Sequence, residues 1–204
     1  ISAGSYSNFE FTNFATNQFS QYPTGTFPMN FITNHDENSW NYSEFSRYGD
    51  AANALGALTF VYPGIPLIYS GQEVGNKKQL AFFEKDLIPS IDQPNDYTTL
   101  YKHLISLKKA NKALWNDAPL SIVPIASDRP GVLAFARVRG NSKVIYVLNQ
   151  SRKSMKFTLN LKKVHKSPTN YRVFSSNKIT KLSPNSSLNL KPFGFEIYST
   201  SPSL

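Results

Sequence analysis

The stretch Met29-Asn30-Phe31-Ile32-Thr33-Asn34-His35-Asp36-Glu37-Asn38 sets the reading of the whole chain. A short apolar run gives way at once to five polar residues, which reads as a buried strand whose C-terminal end presents hydrogen-bonding side chains. After Ser43, which fits a helix N-cap, apolar residues recur at Tyr48, Ala51, Ala52, Leu55, Leu58 and Tyr62. That is the spacing of one helical face, and Pro63-Gly64 stops it. Pro66-Leu67-Ile68-Tyr69 is a second short apolar run, ending at Ser70-Gly71-Gln72-Glu73. Strand, helix and strand in that order form the unit of a parallel α/β fold.

On either side of this unit the pattern changes. Residues 1–28 are rich in Ser, Asn, Thr and Phe without a clear period, and read as a loop region with at most one short helix. Residues 74–94 read as a loop carrying the aromatic pair Phe82 and Phe83. From Asn95, Tyr97, Leu100, Tyr101, Leu104, Leu107 and Asn111 share one stripe, with Lys102, Lys109 and Lys112 off it, so a second helix is expected to run to about Leu114. Beyond Pro119 the chain breaks into short β-type segments at residues 120–126, 132–138, 144–149, 155–161, 171–174, 188–190 and 195–198. Asp128-Arg129-Pro130-Gly131 and Gly140-Asn141-Ser142 are among the turn signals between them. The boundary is placed at Asp117 to Pro119. It divides residues 1–118, an α/β part, from residues 119–204, an antiparallel β-sandwich or barrel expected to fold by itself.

Composition narrows the function classes. The chain has 204 residues, no cysteine and a net charge of +9. Lack of cysteine removes disulfides, thiol catalysis and thiolate metal sites, and leaves the compartment open. The basic excess lies in the second half as scattered lysines without an aromatic-basic recognition module, so a nucleic-acid partner is not expected. No run of 18 apolar residues is present, so no membrane span is expected. The stretch from Ile1 carries no basic segment followed by an apolar one, and its start reads as lying inside a longer protein.

Asn34, His35 and Asp36 gather three hydrogen-bonding side chains at one strand end, where α/β enzymes place reacting groups. The same cluster also reads as a helix cap or a turn. Trp40, a few residues on, either stacks on a ligand ring or packs under its own loop. Tyr42, Phe82 and Phe83 read as packing residues, His103 as a surface or packing residue on its helix, and His165 as part of an exposed turn. Glu84 and Asp86 supply too few oxygens for a calcium cage.

Phe31-Ile32-Thr33-Asn34-His35-Asp36 resembles the fourth signature stretch of the α-amylase family of glycoside hydrolases, at the end of the seventh strand of a (β/α)₈ TIM barrel. Gly64-Ile65-Pro66-Leu67-Ile68-Tyr69-Ser70-Gly71-Gln72-Glu73 resembles the eighth strand of that barrel. The resemblance continues through the last barrel helix to Pro192-Phe193-Gly194-Phe195-Glu196-Ile197-Tyr198 at the end of a β-domain. It implies α/β plus all-β architecture, the C-terminal part of a barrel followed by an antiparallel β-sandwich. It also implies a retaining hydrolase of α-1,4-glucosidic bonds in starch or maltodextrins. In that family Asp36 would stabilise the transition state and His35 and Asn34 would bind the sugar, with Trp40 a candidate stacking residue. Glu73 would hold loops in place.

Nucleophile and acid/base would come from the fourth and fifth strands, which lie upstream of this chain. The α-glucan and the missing N-terminal barrel half would then be its partners. No cofactor or metal ligand is expected in this chain itself, and calcium, where the family uses it, would be bound upstream. Transfer or isomerisation of α-glucans is the nearest alternative. A non-catalytic carbohydrate-binding or scaffold protein on a decayed barrel is the alternative from another class.

Overall fold

The computed structural model describes residues 7–89, 91–116 and 120–201. The expected boundary at Asp117 to Pro119 therefore lies outside the described residues. The described residues open with helix α1 (Asn8–Ser20), longer than the one short helix expected within a loop region there. Ser7 accepts from the Glu10 N–H and the Glu10 carboxylate accepts from the Ser7 N–H, a reciprocal cap that an aperiodic composition conceals. Phe11 then packs 5.4 Å from Phe135 and 5.5 Å from Tyr62, ring to ring.

Strand β1 (Met29–Asn30) leads to helix α2 (His35–Asn41). The single helix expected after Ser43 is three pieces: α3 (Glu44–Tyr48), a 3₁₀ turn (Gly49–Ala51) and α4 (Ala52–Val61). Ser43 does cap α3, accepting from the Ser46 N–H at 3.3 Å. Gly49, at φ 54°, takes the chain out of α3 in a conformation that costs a side-chain-bearing residue more. Strand β2 (Ile65–Pro66) pairs in parallel with β1, Met29 opposite Ile65 and Asn30 opposite Pro66. The run expected to be buried is partly open: Ile32 is buried, while Met29, Phe31 and Ile65 are exposed. Parallel strands bury both faces only when further strands and helices flank them, and this sheet has two strands.

Helix α5 (Asp96–Ala110) starts with a second reciprocal cap, between Asn95 and Thr98. It stops at Asn111, short of the expected Leu114, and a 3₁₀ turn (Lys112–Leu114) follows. Asn111 turns the chain by accepting from the Ala113 N–H and donating to Ser201 Oγ.

Among the described residues nine strands follow: β3 (Ile122–Pro124), β4 (Ala126–Ser127), β5 (Val132–Arg139), β6 (Ser142–Asn149), β7 (Met155–Asn160), β8 (Thr169–Val173), β9 (Ile179–Leu182), β10 (Asn185–Leu190) and β11 (Phe195–Ser199). They make a six-stranded antiparallel sheet in the order β3-β5-β6-β11-β8-β9 and a three-stranded one in the order β10-β7-β4. The segment expected at 120–126 splits at buried Ile125 and feeds both sheets. Strand β9 was not foreseen, because Leu182 is its only buried residue.

Alternation along β5 and β6 explains the core. Val132, Ala134, Ala136, Ile145 and Val147 face the small sheet with Phe157 and Leu159. Leu133, Phe135, Val144, Tyr146 and Leu148 face the other way, onto Ala54, Phe60 and Val61 of α4 and Leu104 and Leu107 of α5. The Tyr146 hydroxyl donates to the Ala54 carbonyl at 2.7 Å across that junction. Buried Arg137 donates to Val61 O and half-buried Lys108 to Phe60 O, so two cations finish α4, where the helix carries its negative end. One face of the larger sheet shares a core with the α/β part.

Candidate functional site

Asn34 is the hinge of the site. Its backbone is extended (φ −150°, ψ −172°), and its side-chain Oδ1 accepts from the Glu37 N–H at 2.7 Å, which makes it the N-cap of α2. Of the two readings open from sequence, the structure shows the helix cap; β1 itself already ends at Asn30. His35 and Asp36 become the first two residues of α2, with side chains 68% and 59% exposed and His35 Nε2 3.6 Å from Asp36 Oδ1. A carboxylate and an imidazole side by side at a helix N-terminus can accept from and donate to the hydroxyls of one sugar ring.

The turn is braced from behind. Arg47 Nη2 donates to the Ile32 carbonyl and Nη1 to Glu37 Oε2, each at 2.7 Å. One guanidinium thus grips the chain just before Asn34 and just after Asp36. Buried Asn38 accepts from the Leu80 N–H at 2.8 Å and donates to Lys78 O. Gln79 donates to Ser39 O at 2.6 Å. Neither Arg47 nor Asn38 was singled out in the sequence, because their partners lie across a bend at Tyr42 (φ 67°) or about 40 residues away. Glu44, one turn before Arg47, is buried. Burial pushes its carboxyl above the ordinary range, with its own backbone N–H and the Arg47 charge opposing.

The other candidates fall into place by contact. Glu73 accepts from the Gly71 N–H at 2.9 Å, and its carbonyl accepts from Thr98 Oγ1, so it holds the turn after β2 against α5. Trp40 is 59% exposed. Tyr42, Phe82 and Phe83, expected to pack, are exposed as well. They belong to α2, its C-terminal end and the neighbouring loop, which no other described element covers. His165, expected in an exposed turn, is buried, its Nδ1 2.9 Å from the Tyr171 hydroxyl, and burial lowers its pKa. Asp86 is occupied by Lys78 and by the Ala81 and Leu87 N–H groups, so it is not a free calcium ligand. Among the described residues no group of three or more His, Asp and Glu could hold a metal ion, and no helix is long and apolar enough to cross a membrane.

Comparison with known proteins points one way. No family model matches the chain. The α-amylase MalA of Haloarcula japonica is 32% identical over 127 residues, which cover 59% of this chain and 18% of that protein. Among solved structures, a maltogenic α-amylase, AmyB, from Thermotoga neapolitana superposes with a TM-score of 0.74 at 20% identity, covering 96% of this chain and 46% of its own. An isomaltulose synthase from Klebsiella does so with a TM-score of 0.65 at 17% identity, covering 96% and 47%. This chain thus spans about half the length of those structures and a fifth of the curated relative. Sequence likeness and fold point the same way: the chain is similar to the C-terminal part of α-amylase-family glycoside hydrolases.

Proposed function

We propose that this chain is the C-terminal part of a retaining glycoside hydrolase that cleaves α-1,4-glucosidic bonds in starch or maltodextrins. In this reading residues 1–118 close the barrel and residues 119–204 form the sandwich that backs it. Asp36 grips ring hydroxyls of the sugar being cleaved, and His35 donates to the same ring. Such hydrogen bonds strengthen as the ring flattens towards an oxocarbenium-like transition state, so they lower the barrier without exchanging protons. Asn34 spends its Oδ1 on the cap and offers the ligand its amide N–H groups. Trp40 offers a ring face. Nucleophile and acid belong to barrel strands outside this chain, in the same polypeptide or in a partner chain, and activity requires both halves together.

The observation that carries the reading is the open His35–Asp36 pair, beyond the C-terminal end of β1 and braced on both sides by Arg47. Barrel enzymes put their chemistry at that end of the strands. The likeness to an isomaltulose synthase keeps sugar isomerisation as the second reading, because one barrel fold serves both. In the complete barrel, Asp36→Asn should lower kcat/KM on a maltooligosaccharide by about a thousandfold, with the melting temperature unchanged because the side chain is exposed. His35→Ala should cost less, about 2 to 4 kcal/mol of transition-state binding. Near-wild-type hydrolysis by Asp36→Asn would refute the assignment, and product analysis by chromatography separates hydrolysis from isomerisation.

A further inference from the structure

Three aromatic rings stand outward beside the His35–Asp36 pair: Trp40 at 59% exposure, Phe82 at 42% and Phe83 at 82%. They form one surface. Trp40 lies 5.3 Å from Phe82 and 6.2 Å from Phe83, and Phe82 lies 4.8 Å from Phe83. Phe82 also faces the His35 imidazole at 6.2 Å with an interplanar angle of 30°. Aromatic surface thus begins at the imidazole next to Asp36 and runs outward across two segments some 40 residues apart in the chain.

Exposed apolar residues near the strand pair and near the His35–Asp36 pair differ in place. Met29, Phe31 and Ile65 lie on or next to the strand pair, where the remaining strands of a barrel would cover them. Trp40, Phe82 and Phe83 lie past the strand ends, on α2 and the loop after β2, where a barrel keeps its mouth open. The loop that carries the phenylalanines is pinned. Asp86 accepts from the Ala81 N–H at 3.0 Å and the Leu87 N–H at 2.8 Å and pairs with Lys78, while Gln79 and Leu80 bond to Ser39 and Asn38 of α2. A hollow of about 360 Å³ lies between Trp40, Phe82, Phe83, Gln79 and Asp86. Rings held outward beside a polar wall suit a flat ligand with an apolar face and a hydroxyl edge, and a pyranose is one.

We propose that Trp40, Phe82 and Phe83 form a stacking platform for glucose units beyond the one held by His35 and Asp36, giving the enzyme a preference for longer α-glucan chains. The platform rests on the α-glucan reading above. Its test uses the complete barrel and compares kcat/KM for maltoheptaose and maltotriose. Phe83→Ala should lower the maltoheptaose-to-maltotriose ratio about five- to tenfold, and Phe83→Tyr should restore it, since one stacking contact is worth about that factor. Phe83 is exposed enough for the substitution to leave the fold intact, which a melting curve checks, and Phe82→Ala should move the ratio the same way. Cleavage of both sugars with an unchanged ratio in both alanine variants overturns the platform and leaves the α-glucan reading standing. Failure of the wild-type barrel to bind or cleave either sugar overturns that reading, and the platform with it.

Discussion

Strand pair β1–β2 and strand pair β5–β6 come from comparably apolar sequence and end in opposite surroundings. β5 and β6 pair over eight residues each, with one face on the small sheet and the other on α4 and α5. β1 and β2 pair over two residues and leave Met29, Phe31 and Ile65 open. An apolar run states that a segment needs burial, without stating what buries it. For β5–β6 the cover is within this chain. For β1–β2 the similar structures are about twice as long, and under the proposed reading that extra length would supply the cover.

The sharpest way to break this contrast is to attack the shared core. Phe135 is 1% exposed and touches Phe11 of α1 and Tyr146 of β6. Phe135→Ala should destabilise the chain by about 3 to 5 kcal/mol, the usual cost of emptying a buried aromatic site. Urea unfolding followed by tyrosine environment and by far-ultraviolet circular dichroism should still give coincident transitions. Two separated transitions would mean that sandwich and helices do not share a core after all.

A smaller effect tests the other side of the comparison. Arg47 spans the turn that presents His35 and Asp36, so Arg47→Ala in the complete barrel should lower kcat by about tenfold, roughly 1.4 kcal/mol, with little change in KM. Arg47→Lys should recover part of it, because one ammonium reaches one of the two acceptors, Ile32 O or Glu37, more easily than both. A loss confined to KM, or to melting temperature, would reduce Arg47 to a packing role.

The smallest effect concerns His165, inside the sandwich. Burial holds its pKa below the ordinary 6.5, against an opposing contact with the Ser183 backbone. Between its folded value and 6.5 the unfolded chain binds the extra proton, so stability contributed by neutral His165 is present above pH 6.5 and drains away as pH falls below it. His165→Asn should flatten that acid limb in unfolding curves taken from pH 7.5 to 5. An unaltered limb would place the titration elsewhere.

Much of the architecture was legible because it follows local rules. The strand–helix–strand order, the cap at Ser43, the helix from Asn95 and most of the β segments came from periodicity and turn chemistry, which need only neighbours in the chain. The misses share a different cause. α1 was hidden because its stabilising stripe is Phe11 and Ala15 against a sheet more than 100 residues later. β9 was hidden because pairing with β8, rather than apolar alternation, makes it a strand. His165 looked exposed among lysines, yet a bond from Tyr171 and the fold of the sandwich draw it inside.

The candidate site divides in the same way. By itself the sequence determined that Asn34, His35 and Asp36 sit together after an apolar run, because adjacent residues need no tertiary contact to be neighbours. It also determined that Asn34 can cap a helix, which is a property of a side chain and the next three N–H groups. Only the tertiary structure decided that Arg47 braces the turn, that Asn38 and Gln79 lock a loop from beyond β2 onto α2, and that Phe82 and Phe83 face outward next to Trp40. Those contacts join residues ten to more than forty apart. Whether two such side chains meet depends on how bends at Tyr42, Gly49 and Gly71 orient the rigid pieces between them, and no periodicity in the chain encodes that orientation.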